Sequence, residues 1–366
     1  GILWLLLLPL NSSSRATYIS ENALLPGQVR TSYGTASSHA IFRALRHEIY
    51  TLTHLPPPAR LAGLTHLLRA SGLRPATHPY TDRDAAGAPR AATTLYALHR
   101  GPRADATEAV VLLAAWRTPT GEWNYSGVAL ALALMRYFAR WSIWSKDLIL
   151  LLPDDSLHGP AAWLAAYHGR GNASLPLRAG ALQAAIALDY PAGPWGQRFA
   201  ALELQYAGIN GAQPNLDLLN TAASVSSSAA GLPSTLHGPP SPDTYLSRLR
   251  TLTHGLASQA EGTPSNAHAA FAPWHIDALT LRAVGEGRHD EMALGRVTEA
   301  LLRSTNNLLE HLHQSFFFYR LLHAHRFVSI GAYLPAVALV IAAFVIAALA
   351  RWSDSARARI ARPAAL

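Results

Sequence analysis

The most informative pattern in the chain lies at residues 108–140, EAVVLLAAWRTPTGEWNYSGVALALALMRYFAR. Residues 109–115 form a short, continuous apolar run, the mark of a strand covered on both faces. Pro119, Gly121 and Asn124 break the pattern and predict a loop. Ser126 is placed to cap a helix over residues 127–138, which is apolar nearly all round. Similar runs predict strands at residues 93–99, 147–152, 182–188, 199–206 and 276–283. Helices are predicted at 37–50, 59–70 and 159–167. Alternation of this kind predicts an α/β fold with a mostly parallel central sheet flanked by helices. Residues 221–243 and 255–273 are rich in Ser, Pro, Gly and Ala and read as loops. Residues 293–322 carry an apolar stripe at helical spacing, including Val297, Leu301, Leu308, Leu312, Phe316 and Tyr319, and predict one long amphipathic helix.

The ends of the chain carry a different pattern. Residues 327–350 contain no charge, and their length exceeds the ~20 residues a helix needs to span a bilayer. Arg351, Arg357, Arg359 and Arg362 follow, so by the positive-inside rule residues 351–366 form a cytoplasmic tail. Residues 1–10 are apolar but too short to span, and read as the end of a first transmembrane helix whose start lies outside the sequence. The chain is therefore expected to be part of a longer membrane protein, with residues 11–326 on the non-cytoplasmic side. Three N-x-S/T sequons, at Asn11, Asn124 and Asn172, are glycosylation candidates compatible with that placement.

Composition narrows the function. Half the residues are hydrophobic and 14% are charged, which is apolar for a soluble protein. The net charge of +8 does not make a nucleic-acid surface: Lys146 is the single lysine, and the arginines are scattered without interleaved aromatics. There is no cysteine, which excludes disulfides, thiolate metal sites and a cysteine nucleophile within this chain. No HExxH, GxSxG or phosphate-binding glycine loop occurs. The pairs His311/His313 and His323/His325 are two apart on predicted helical sequence, a spacing that does not share a face. Asp154, Asp155 and Asp189 lie just past predicted strand ends, where α/β folds gather catalytic or metal-binding groups. Capping of the following helix is the structural alternative for them.

Three longer segments carry a resemblance. They are YISENAL at residues 18–24, GINGAQPNLDLLN at 208–220, and NNLLEHLHQSFFFY at 306–319 followed by RFVSIG at 326–331. In order and in length they resemble the Gaa family, the anchor attachment subunit of glycosylphosphatidylinositol (GPI) transamidase. The YISENAL segment, with Tyr18, Ser20, Glu21 and Asn22, falls just after the first membrane segment. The resemblance implies an endoplasmic-reticulum membrane protein whose lumenal domain is similar to zinc aminopeptidases. Carried onto this chain, the first metal-binding His and Asp of those enzymes fall near Trp116 and Thr118. The bridging Asp falls on Trp123 and the Glu pair on Asp154 and Asp155. Asp189 keeps its type, and the late His corresponds to His254 or His268. Indole and threonine cannot supply the three or four donors zinc needs. The expectation is no cofactor, no metal and no peptidase activity, with Trp116, Trp123, Asn124 and Tyr125 forming a binding loop instead. The implied role is a non-catalytic subunit that positions the GPI lipid or holds the complex, the nucleophile being a cysteine of a caspase-like partner. Two other roles stay open: a metal-dependent enzyme joining peptide to GPI ethanolamine, and a pure assembly scaffold.

Overall fold

A computed structural model describes residues 1–25, 29–83, 89–170 and 174–360. In chain order the elements are α1 (Ile2–Leu7), β1 (Arg15–Ala16), α2 (Ala36–Thr53), α3 (Pro57–Ala70), β2 (Arg74–Arg83), β3 (Pro89–His99), β4 (Glu108–Leu113) and α4 (Tyr125–Phe138). They continue with β5 (Asp147–Leu152), α5 (His158–Tyr167), β6 (Ala181–Asp189), β7 (Phe199–Gln205), α6 (Leu216–Ala230) and β8 (Ser234–Thr235). The last are α7 (Tyr245–Glu261), β9 (Asp277–His289), α8 (Glu291–Asn306), β10 (Tyr319–His323), β11 (Arg326–Ser329) and α9 (Ile330–Ile360).

Eight strands form one sheet in the order β2-β3-β5-β4-β6-β9-β7-β8. The central four, β5-β4-β6-β9, are parallel. The sheet is nevertheless mixed, because β2 and β3 run antiparallel to their neighbours and β7 runs antiparallel to β9. Alternate residues of the central strands enter different cores, as the two-residue period requires. Val110, Leu112, Leu150 and Ile186 pack against α2, α4, α6 and α8. Val111, Leu113, Ile149 and Leu151 pack with Trp163, Leu164 and Phe271 on the other face. Helix α4 is buried at every residue from Ser126 to Met135, which explains its all-round apolar sequence. It begins at Tyr125, and Ser126 does not cap it. The Ser126 hydroxyl donates instead to Ala192 O (2.9 Å).

Three regions depart from expectation. Residues 221–243 are not one loop, since α6 reaches Ala230. Asn215 caps it by accepting from Asp217 N, and Gly231 (φ 59°) closes it in the left-handed conformation. Its serines are tolerated because Ser226 bonds Leu232 O (2.9 Å) and small side chains let α6 pack closely on α8. Residues 255–273 likewise contain the end of α7, then 3-10 turns at Ala267–Ala270 and Ala272–Trp274. The long helix over 293–322 is broken. Helix α8 stops at Asn306, whose Oδ1 accepts from Ser145 N (2.9 Å) and Lys146 N (3.1 Å). The chain then runs without helix to β10, so His311 and His313 lie in an irregular segment and His323 and His325 on a hairpin. Leu308 and Leu312 are buried without being helical.

The strands β1-β11-β10 form a second, three-stranded sheet at the foot of α9. Residues 327–329 belong to β11, so the apolar span begins at Ile330 and extends over 28 residues to Arg357, exposed along almost its whole length. It is the one helix among the described residues long and apolar enough to cross a membrane. Helix α1 has six residues and lies along α9, with Trp4 Nε1 donating to Ala332 O (2.9 Å).

Gly180 marks a tight approach at the start of β6. A Cβ there would fall on the Thr107 carbonyl, which accepts from Ala181 N (2.7 Å). Gly180→Ala should therefore part β6 from β4 and cost more than ~2 kcal/mol. Gly193→Ala, which meets no atom within 4 Å, should stay within ~0.5 kcal/mol of the unsubstituted chain. Thermal unfolding of the two variants in detergent checks the contrast.

Candidate functional site

The parallel strands β4, β5 and β6 end together, and the loop after β4 fills the space beyond them. Trp116 is buried and meets Trp123 edge to face at 6.3 Å. Trp123 lies 6.3 Å from Tyr125, which packs on Tyr50 of α2 at 5.3 Å. Two cations join these rings. Arg60 of α3 sits 5.3 Å from the Trp116 ring and 5.4 Å from the Trp123 ring, and Arg117 sits 4.0 Å from Trp123. Asn124 is buried beneath them. Both its amide hydrogens are donated, to Ala115 O (3.0 Å) and Leu188 O (2.9 Å), while Tyr190 N donates to Oδ1 (2.8 Å). The sequon side chain at Asn124 is thus enclosed in the fold. Asn11 is exposed, its Oδ1 accepting from Arg248 (2.5 Å), and Asn172 lies outside the described residues.

The strand-end carboxylates each have structural partners. Asp154 accepts from Arg60 Nη2 at 3.0 Å. Asp155 caps α5: Oδ1 accepts from Leu157 N (2.8 Å), His158 N (2.6 Å) and Gly159 N (3.3 Å), and Oδ2 accepts from Tyr80 OH (2.6 Å). Asp189 is the last residue of β6 and fully buried. Its Oδ2 accepts from Asn266 Nδ2 (2.9 Å) and faces Arg282 Nε at 3.7 Å, while Oδ1 has no hydrogen-bond partner. Burial raises its pKa above the usual carboxylate range, against the pull of Arg282 and Asn266.

The two late histidines are equally engaged. His254 stacks on His237 at 4.7 Å. His268 is buried between Thr280 Oγ1 (2.8 Å) and Ala207 O (3.1 Å), and burial pushes its pKa down to about 4. Among the described residues no group of three or more His, Asp or Glu side chains gathers to hold a metal ion. The residues carried over from zinc aminopeptidases do not fit zinc: indoles stand at two positions and a threonine at a third, and the carboxylates serve Arg60, the α5 cap and Asn266.

The three family segments meet elsewhere. Asp217, in the first turn of α6, accepts from Ser20 N at both oxygens (3.0 and 3.2 Å) and from Glu21 N (2.9 Å). Asn220 Nδ2 donates to Tyr18 O (2.7 Å), and Gln314 Nε2 donates to Glu21 Oε1 (3.3 Å). Leu216 N donates to Phe316 O (3.1 Å), and Tyr319 OH donates to Pro214 O (2.8 Å). Asn22 opens a 3-10 turn that buries Leu24. Beside this junction lies a cavity of about 590 Å³, bordered by the first residues of β6 and β9, Ala181 and Asp277. It is thus at the opposite end of the parallel strands from Asp154, Asp155 and Asp189. Tyr206, Gln213, His268, His311 and Phe317 contribute to its wall. Asp277 Oδ1 accepts from Asn215 N (2.6 Å), and burial pushes its pKa up to about 6.

Sequence reasoning missed Arg60, Asp217 and Asp277. Asp217 stood inside a recognised segment, but nothing local marks it as the acceptor for residues 20 and 21.

Residues 91–364 match the family model described as Gaa1-like, GPI transamidase component. The chain belongs to this family. The GPI transamidase component GAA1 of Saccharomyces cerevisiae is 37% identical over 366 residues, covering 98% of this chain and 57% of that protein. The Schizosaccharomyces pombe counterpart is 35% identical over 367 residues, covering 96% and 62%. The chain thus spans about three-fifths of the length of the curated relatives it matches. Among solved structures, a Bacteroides thetaiotaomicron glutaminyl cyclase bound to N-acetylhistamine aligns with 76% of this chain and 100% of its own, at TM-score 0.48 and 11% identity. A Zn-dependent exopeptidase from Parabacteroides distasonis aligns with 76% and 100%, at TM-score 0.44 and 11% identity.

Within this Gaa1-like fold, Asp277 makes a testable contribution to stability. Its folded pKa of about 6 lies above the ~3.9 of an unfolded aspartate. The folded state holds the proton longer, so this contribution is fully present below about pH 4 and is lost as pH rises through about 6. The loss amounts to ~3 kcal/mol at most. Denaturant unfolding between pH 4 and 7 should show the decline in the unsubstituted chain and a flatter profile in Asp277→Asn.

Proposed function

We propose that this chain is a non-catalytic, membrane-anchored subunit of a GPI transamidase, holding the GPI lipid in place or holding the complex together while anchors are attached to precursor proteins. The observation that carries this reading is the employment of Asp154, Asp155 and Asp189, each of which already holds a protein partner: Arg60, the start of α5 and Asn266. The family membership supplies the complex. In this reading the acyl-forming nucleophile is a cysteine of a caspase-like partner subunit, which is compatible with a sequence that holds no cysteine. The contribution of this chain is then proximity: an amine held by a lipid has to be oriented at an acyl intermediate, and orientation alone lowers a barrier by several kcal/mol. The domain, residues 11–326, faces the lumen of the endoplasmic reticulum and α9 holds it to the membrane. The first residues belong to a second span alongside α9, in keeping with the Trp4–Ala332 contact. Within the domain, we assign lipid positioning to the Asp217 junction and the neighbouring cavity, and a packing role to the ring cluster of Trp116, Trp123 and Tyr125.

The test uses the full-length protein in cells lacking their own copy. Asp189→Asn should retain most GPI anchoring, and the purified complex should carry no stoichiometric zinc in this subunit. Asp217→Ala should lower anchoring severalfold and reduce crosslinking to a photoactivatable GPI analogue. Stoichiometric zinc lost in Asp189→Asn together with anchoring would establish a metal enzyme instead. Anchoring lost in Asp217→Ala with unchanged lipid crosslinking would establish a scaffold.

A further inference from the structure

Strand β11 passes into α9 without a linker: Ser329 ends the strand and Ile330 begins the helix. Strand β10 runs antiparallel beside it, with Tyr319 opposite Ser329. Ile330 N donates to Phe318 O (3.1 Å). Phe318 therefore sits level with the first residue of the apolar span. Four aromatic residues arrive here in succession, and the fold uses two of them. Phe316 packs on Phe327 (5.5 Å), and Tyr319 is fully buried. Phe317 and Phe318 are left 47% and 67% exposed.

The surroundings match a membrane–water boundary. Tyr333, one turn into α9, lies 5.5 Å from the Arg320 guanidinium. Trp4 donates its indole N–H to Ala332 O. Amphipathic rings and a cation at the mouth of an apolar helix are what an interfacial belt requires, where one side of a residue meets hydrocarbon and the other meets headgroups. Exposed aromatics at that level gain by leaving water for the acyl boundary.

We propose that Phe317 and Phe318 insert into the interfacial layer of the bilayer that α9 crosses, so that the β10–β11 hairpin rests on lipid rather than standing clear of it. The occupant of this surface is the lipid bilayer. The proposal rests on the reading of α9 as a membrane span, and Phe317 also borders the cavity assigned to lipid positioning, whereas Phe318 does not line it.

The absence of cysteine makes the test clean, since one introduced thiol is unique in the chain. Phe317→Cys and Phe318→Cys, each carrying a nitroxide, are placed with the full chain in lipid nanodiscs. Trp195→Cys is the reference, because Trp195 is 90% exposed and follows the far end of β6. Collision with oxygen, which concentrates in lipid, is compared with collision with a water-soluble nickel chelate. The expected result is a several-fold higher oxygen-to-nickel ratio at 317 and 318 than at 195. Equal ratios at all three positions would overturn the proposal. Shielding of 317 and 318 from both reagents would overturn it too, by placing protein over them. Should either substitution lower the melting temperature, the unsubstituted chain is labelled with a lipid carrying a photoactivatable group near its headgroup. Adducts on Phe317 or Phe318 support insertion, and adducts confined to α9 refute it.

Discussion

A buried carboxylate, with no cation against it among the described residues, ties together the end of this protein at the foot of α9. Asp217 lies in the first turn of α6, and its charge is met by the backbone N–H groups of Ser20 and Glu21 and by the helix N-terminus. Burial raises its pKa, and the N–H groups pull it back. Much follows from that balance. Fixing residues 20 and 21 fixes Tyr18, whose carbonyl Asn220 holds and whose ring meets Phe327. That in turn brings β1 onto β11 and α1 alongside α9. Three segments far apart in sequence become one floor because a single carboxylate needs N–H donors and the chain supplies them from residues 20 and 21.

The two ends of the parallel sheet are filled differently. At the strand C-termini, the position where α/β folds gather reactive groups, the side chains largely partner one another, with Asp189 Oδ1 left without a hydrogen bond. Arg60 is shared between two indoles and Asp154, and Asp155 is consumed by the start of α5. At the strand N-termini, a sizeable cavity stays open beside segments shared with the Gaa1-like family. The strand–loop–helix at residues 108–140 is present as the sequence pattern predicts, and the rings of its loop pack on one another and on Arg60.

Sequence patterns revealed the parts whose burial is uniform. Strands β4, β5 and β6 and helix α4 are covered on every side, and their apolar runs say so. Strand β2 escaped notice because RPATHPYTDR alternates weakly and contains two prolines, tolerable at the sheet edge it occupies. Helix α6 was hidden by Ser and Ala, whose small size is what its packing needs. The stripe at 293–322 misled because Leu308 and Leu312 are buried by the domain rather than by a helix, once Asn306 is captured by the backbone at Ser145 and Lys146. The candidate site divides in the same way. Asp154, Asp155 and Asp189 were visible because strand ends are local features. Arg60 and Asp217 act on partners 94 and nearly 200 residues away, a relation that no local pattern carries.

The direct passage from β11 into α9 makes the span and the domain a single lever. The uncharged part of α9, residues 330–350, is about 32 Å long, close to a hydrocarbon core of roughly 30 Å. A helix of that length placed across a bilayer tilts to a degree set by the local thickness. With no linker to absorb the rotation, such a tilt would turn the whole domain about its foot. The direction in which the cavity faces is then a property of the membrane as much as of the protein.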